Sequence, residues 1–209
     1  MKEPANPAGS IAPTVGVADP RTIAIDLDDT LNNFTETLRH AAYPFTPADG
    51  LPEATFHHYL EGIRQDAPEA GDLLSTEYSF LRYKVHAQCY RQARARADGV
   101  AFMRWLRRNH WRIVICTQRD LRRAHDDTRA WLAERDIPFD YLFMARNKIV
   151  FCKAWGIRHL VDDDGFNLAH GGRYDVNVYY PIMPKHQSLP AHTARGFRTF
   201  EEVQRWIQG

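Results

Sequence analysis

The sequence predicts an α/β protein: a parallel sheet wound on both faces by helices, with one helical insertion. Three observations carry this. Short apolar runs near 22–25, 111–116, 141–144, 157–161 and 176–180 alternate with stretches of helical periodicity, the pattern of strand–helix units. Polar groups stand just past these runs or at the start of the next helix, where parallel sheets bind ligands. Between the first strand and the rest, residues 32–97 change character: aromatics and histidines abound, and apolar positions recur at helical spacing.

In order, 1–21 holds Pro, Gly and Ala without a basic start or an apolar core, and reads as a flexible tail rather than a signal peptide. Thr22-Ile23-Ala24-Ile25 is a buried strand that breaks into Asp26, Asp28, Asp29 and Thr30. In 32–97, Phe80, Tyr83, Ala87 and Tyr90 share a helical face, and Pro44, Pro47, Pro52 and Pro68 punctuate the segment. The body resumes at 98–209. Asp98 is expected to cap a helix carrying Val100, Met103 and Leu106. Trp111 to Cys116 is a second strand, followed by the polar loop Thr117-Gln118-Arg119-Asp120. Asp120 starts a helix with Leu121, Ala124, Trp131 and Leu132 turned inward. A helix from Lys148 ends at Gly156, a C′ glycine. Ile157 to Val161 leads into Asp162-Asp163-Asp164, residues 176–180 form the last strand, and Thr199-Phe200-Glu201-Glu202 is a capping box for a closing helix.

The 209 residues fit one core with an insertion. With 27 basic and 26 acidic residues, nothing global favours nucleic acid or an anionic membrane as partner. No apolar run approaches a membrane span. Cys89, Cys116 and Cys152 are scattered without knuckle spacing, as expected of reduced thiols in a cytoplasmic protein.

Asp26 and Asp28 lie two apart on an extended segment and face the same way. Paired carboxylates at the mouth of a buried strand repel each other, which a divalent cation relieves. Asp26-Leu27-Asp28-Asp29-Thr30-Leu31 resembles the DxDxT signature of the haloacid dehalogenase (HAD) superfamily of aspartate-nucleophile phosphohydrolases. Three further pieces match in order: Thr117 ending an apolar strand, Lys148 in Arg146-Asn147-Lys148, and Asp162-Asp163 after Leu160-Val161. Each alone is ordinary, since a strand followed by Thr is common and a lone Lys at a helix start is usually solvated. Their order and context carry the resemblance.

The resemblance implies a HAD-like Rossmannoid core and these roles. Asp26 attacks phosphorus and becomes an aspartyl-phosphate. Asp28 protonates the leaving oxygen, then takes a proton from the attacking water. Thr117 and neighbouring amides hold the phosphoryl oxygens, and Lys148 neutralises them. Mg²⁺ is held by Asp26, the Asp28 backbone carbonyl and Asp163, with Asp164 as alternative ligand and Asp162 in support. Two departures stand out. Asp29 occupies a position that is often Gly in the family, and Lys153 competes with Lys148.

The insertion at 32–97 resembles the C1-type caps of the superfamily, which close over small substrates. The segment from Arg146 to Asp164 looks like the 5′(3′)-deoxyribonucleotidases. That implies a (deoxy)nucleoside monophosphate as substrate, with Thr30, Gln118, Phe34 and Tyr83 as substrate-binding candidates. Aromatics in a small insertion more often form its own core. A sugar phosphate or another biosynthetic intermediate is the alternative. The Arg91-Gln92-Ala93-Arg94-Ala95-Arg96 run suits a polynucleotide 3′-phosphatase, but such a run is more often a solvated helix face. A catalytically silent binding scaffold is disfavoured by the complete set of acids, Thr and Lys. The expected partner is a small phosphate ester, without nucleic acid or membrane; a homodimer is allowed.

Overall fold

The computed structural model describes residues 19–42, 86–144, 146–183, 186 and 194–208. In chain order these form β1 (Thr22–Ile25), α1 (Phe34–Ala42), α2 (His86–Gln92), α3 (Ala97–Arg108), β2 (Arg112–Thr117), α4 (Leu121–Glu134) and β3 (Tyr141–Met144). They continue with α5 (Lys148–Ala154), β4 (His159–Val161), α6 (Gly165–His170), β5 (Asn177–Pro181), β6 (Ala194–Phe197) and α7 (Phe200–Gln208). The six strands make one parallel sheet in the order β3-β2-β1-β4-β5-β6. This is the α/β architecture that the alternation predicts.

Side chains alternate across the sheet and so divide the core in two. Ile23, Ile25, Ile113, Ile115 and Val161 pack on one face with Phe102, Met103 and Leu106 of α3, Trp131 and Leu132 of α4, and Phe200 and Val203 of α7. Ala24, Val114, Cys116, Leu160 and Val178 pack on the other with Ile149 and Cys152 of α5 and Leu168 of α6. Both faces of the central strands are covered, which is why β1 and β2 read as apolar on both sides. Gly99 permits the close approach of α3 to α7: a Cβ there would lie 2.9 Å from Leu31 Cδ2 and 3.1 Å from Phe200 Cε2.

The order places a topological switch between β1 and β4. The chain runs outward from β1 to β2 and β3, then crosses back to continue on the other side. The crevice at the carboxyl ends of β1 and β4 is therefore the place where such a sheet takes a ligand.

Several local expectations need correction. Asp98 lies inside the first turn of α3 rather than at its N-cap, which is Arg96. Its carboxylate instead accepts from the Phe200 amide at 3.1 Å and so serves the start of α7. Leu121 is 59 % exposed, because Asp120 caps α4 through the Arg122 and Arg123 amides and leaves the first helical residue pointing outward. Half of the capping box forms: the Glu202 carboxylate accepts from the Thr199 amide at 3.5 Å, and more closely from the preceding Arg198 amide at 2.6 Å. The sheet does not end at β5, for Ala194–Phe197 adds a parallel edge strand. Gly156 takes a left-handed φ of 66° just past α5, as a C′ glycine should.

Most of 32–97 lies outside the described residues, Tyr83 included. Of that segment, α2 is seen to rest on α4. The Trp131 indole donates to the Ala93 carbonyl at 2.8 Å, and Arg91 pairs with Asp127 at 2.6 Å.

Candidate active site

The acids come together at the switch point. Asp26 follows β1, and its amide still donates to the Val161 carbonyl at 2.9 Å, so its side chain leaves the sheet beside β4. Asp162 follows β4 in the same way, bonded through its amide to the Tyr179 carbonyl at 3.0 Å. One carboxylate oxygen from each of Asp26, Asp162 and Asp163 lies within 4.8 Å of the others.

Lys148 enters this cluster from the start of α5. Asn147 caps that helix through the Val150 amide, which aims the first helical side chain back at the sheet edge. The ammonium sits 2.9 Å from Asp26 Oδ1 and 3.1 Å from Asp162 Oδ1. The contact with Asp26 is an ion pair without hydrogen-bond alignment, whereas Asp162 accepts a true hydrogen bond. Burial opposes the lysine's charge, but Asp26, Asp162 and Asp163 outweigh it and hold Lys148 above the usual ammonium range. Lys153, the rival from sequence, points away and pairs with Asp175 at 2.8 Å.

The three successive acids after β4 have separate tasks. Asp162 is fully buried and enclosed by Lys148, the Asp164 amide at 3.0 Å and Asn167 Nδ2 at 2.8 Å. Burial pushes it up to about 6, against the pull of Lys148. Asp164 caps α6 through the Phe166 and Asn167 amides. Asp163 is 8 % exposed; the Thr30 hydroxyl donates to its carboxylate at 3.4 Å, and His186 Nε2 lies 3.0 Å from its carbonyl oxygen. Asp26 is raised well above the carboxylate range by burial, with Lys148 pulling down and Asp162, Asp163 and Asp28 pushing up.

This donor set suits a hard divalent cation. Three buried carboxylates meet one buried ammonium, an excess of negative charge that a bound cation would relieve. Asp162 has both oxygens engaged by the protein, and Asp164 is a helix cap. Asp26, Asp162 and Asp163 are the carboxylates grouped closely enough to hold such an ion.

Thr117 ends β2, the neighbour of β1 on the other side, and is buried; its hydroxyl lies 3.5 Å from the Arg119 amide. Gln118 is exposed on the same loop. Thr30 is fully buried against Asp163. Phe34 stacks on Tyr90 with centroids 5.1 Å apart and meets His86 edge-on at 5.5 Å. Asp29 takes φ 58°, the left-handed region that glycine would fill without strain. Its carboxylate then accepts from the amide of Thr35 at 2.8 Å and also from that residue's hydroxyl. The acid at the glycine position thus acts as a clasp for the start of α1.

Arg119 is the site residue that sequence reasoning missed. It is 3 % exposed, and its guanidinium grips Asp28 with two bonds, Nη2 to Oδ1 at 2.6 Å and Nε to Oδ2 at 2.9 Å. Its one sequence signal was adjacency to Thr117 and Gln118 in the polar loop after β2.

Among solved structures, the chain resembles a provisionally named phosphatase from Clostridium difficile, with a TM-score of 0.62 at 11 % identity over 90 % of this chain and 98 % of that one. The fold is that of the haloacid dehalogenase superfamily hydrolases. Two further neighbours widen the range. The L-2-haloacid dehalogenase from Xanthobacter autotrophicus, solved with chloropropionic acid covalently bound, has a TM-score of 0.57 at 13 % identity over 90 % and 98 % of the two chains. YfnB from Bacillus subtilis, provisionally named a HAD-hydrolase and bound to magnesium, has a TM-score of 0.57 at 13 % identity over 93 % and 100 %. No family model matches the sequence, and no curated protein matches it.

Proposed function

We propose that the protein is a Mg²⁺-dependent phosphomonoesterase acting through an aspartyl-phosphate on a small phosphorylated metabolite. The observation that carries this reading is the Asp26–Lys148–Asp162 arrangement with Asp163 beside it, at the switch point of a HAD-like sheet. Lys148 held between two acids is placed to neutralise both a carboxylate nucleophile and the phosphoryl oxygens brought to it. The magnesium-bound HAD-type neighbour is consistent with the same donor chemistry.

Asp26 would attack the phosphorus in line; the ester P–O bond breaks, and the leaving oxygen takes a proton from Asp28. Water then attacks the aspartyl-phosphate and gives its proton to Asp28, which restores the Asp26 carboxylate and frees inorganic phosphate. Thr117 and the amides after it hold the phosphoryl oxygens. Mg²⁺, held by Asp26, the Asp28 carbonyl and Asp163, would supply charge neutralisation for those oxygens.

A dehalogenase reading has the fold in its favour. The additional Asp28, a proton donor that a halide leaving group would not need, favours phosphoryl over haloalkyl chemistry. Among substrates we favour a (deoxy)nucleoside monophosphate, with stacking aromatics such as Phe34 as the feature that would receive a base. Sugar phosphates are the alternative.

A phosphate-release screen tests the whole reading. Nucleoside 5′- and 3′-monophosphates, sugar phosphates, 3′-phosphorylated oligonucleotides and 2-chloropropionate are each supplied with Mg²⁺ and with excess EDTA. Release of phosphate that EDTA abolishes supports the proposal. Full activity in EDTA removes the metal, and release of chloride alone replaces phosphatase by dehalogenase.

A further inference from the structure

Asp28 is held by donors on every side that the described residues supply. Arg119 donates to both of its oxygens, and Asn32 Nδ2 adds a third bond to Oδ1 at 3.1 Å. A guanidinium has donors and no acceptor, so a proton on either oxygen would face a donor. The Asp28 side chain keeps 22 % of its surface open, while that of Arg119 keeps 1 %. The carboxylate is thus held by a buried partner while staying partly accessible.

Arg119 is itself fixed twice. Its Nη1 donates to Thr128 Oγ1 on α4 at 3.0 Å, with Thr128 fully buried. Its guanidinium lies over the Tyr90 ring at 4.2 Å, and Tyr90 belongs to α2, the helix at the end of the inserted segment. Planar, bidentate and stacked contacts of this kind are ones that lysine cannot reproduce.

Resting on the phosphotransfer reading above, we propose that Arg119 is a positioning residue that holds Asp28 as a proton acceptor for the second half of the reaction. In that step a water oxygen attacks the aspartyl-phosphate, the bond from phosphorus to the Asp26 oxygen breaks, and the water's proton goes to Asp28. Protonation displaces one of the two guanidinium contacts, and the proton then leaves with the next leaving group. The fork therefore serves hydrolysis of the intermediate more than its formation. Esters with good leaving groups, which need little protonation, form the intermediate with the fork intact.

The test uses single turnovers of p-nitrophenyl phosphate by excess full-length protein with Mg²⁺. Nitrophenolate reports formation of the intermediate, and inorganic phosphate reports its decay. Arg119→Lys should slow phosphate release by on the order of 10²-fold, within the range of an acid–base contribution, and slow nitrophenolate release distinctly less. The phosphorylated Asp26 should then be trappable by acid quench. Thr128→Val, which keeps the fork and removes only its anchor, should show the same selective slowing to a smaller degree, and it guards against misfolding of the arginine variant. Formation and decay falling together in both variants would overturn the inference while leaving the phosphatase intact. A native protein that releases neither product would overturn the phosphotransfer reading, and this inference with it.

Discussion

Lys148 donates to Asp162 at 3.1 Å, and neither residue exposes more than 1 % of its surface. An ion pair so deep costs desolvation on both sides, and it persists because Asp162 is also satisfied by the Asp164 amide and Asn167. The lysine that faces Asp26 is therefore held from behind by an acid with no other evident task.

Removing that ammonium leaves two buried acids without their counterion. Lys148→Met should destabilise the metal-free protein by about 3–5 kcal/mol, the usual cost of breaking a buried pair. Adding Asp162→Asn should return part of this, since the neutral amide needs no counterion. Urea unfolding of the single and double variants is the measurement; a double variant weaker than Lys148→Met would contradict the pairing.

The two acids of the nucleophile strand should separate kinetically. Asp26→Asn should yield no covalent intermediate and no turnover. Asp28→Asn should be slowed by about 10²–10⁴-fold without becoming inert. Its formation step should suffer less with p-nitrophenyl phosphate than with a nucleotide, and its aspartyl-phosphate should persist longer. Quench-flow on both substrates decides this. Turnover by Asp26→Asn together with an inert Asp28→Asn would reverse the roles.

His159 gives the fold an acid-side weakness. Burial, aided by Arg158, lowers its titration point below the ordinary value of about 6.5; the ring packs edge-on to Trp111 and stacks on Tyr179, with Nδ1 3.1 Å from the phenol oxygen. The folded state favours the neutral ring, so the unfolded chain takes up the proton first as pH falls. Stability supported by this group is full above about 6.5 and is lost as pH falls through the depressed value. Between pH 7.5 and 5 the native protein should lose more thermal stability than His159→Gln; equal losses would clear His159 of the effect.

All three thiols should be silent in the folded state. Cys89, Cys116 and Cys152 are fully buried, and burial pushes Cys89 up to about 11 and Cys152 up to about 12. Thiolate is the reactive form, so Ellman's reagent should react only after denaturant is added, and then with three groups per chain. Fast labelling of a native thiol would show an opening not expected from this packing.

The sheet was legible because its central strands are buried on both faces and its acids follow them immediately. Asp26, Thr117 and Lys148 stand where local pattern alone put them, at strand ends or a helix start. What stayed hidden depends on partners far along the chain. Arg119 meets Asp28 across 91 positions, and no local spacing announces a guanidinium turned back on the nucleophile loop. Division of labour among Asp162, Asp163 and Asp164 was open because all three have the same chemistry. Only the cap of α6 and the reach of Lys148 tell them apart. Strand β6 was missed because Ala194-Arg195-Gly196-Phe197 is an edge with one deeply buried residue, too polar to read as core.

The amides of Asp26 and Asp162 continue the hydrogen-bond ladder of the sheet past its last regular residues. Neither can be freed by the fraying of a loop, so they should exchange with deuterium only as slowly as the whole core opens. A site hung on such amides has the lifetime of the molecule rather than of a surface segment. Its acids cannot shift to meet a new substrate, so a change in specificity has to come from side chains outside this ladder, such as the exposed Gln118.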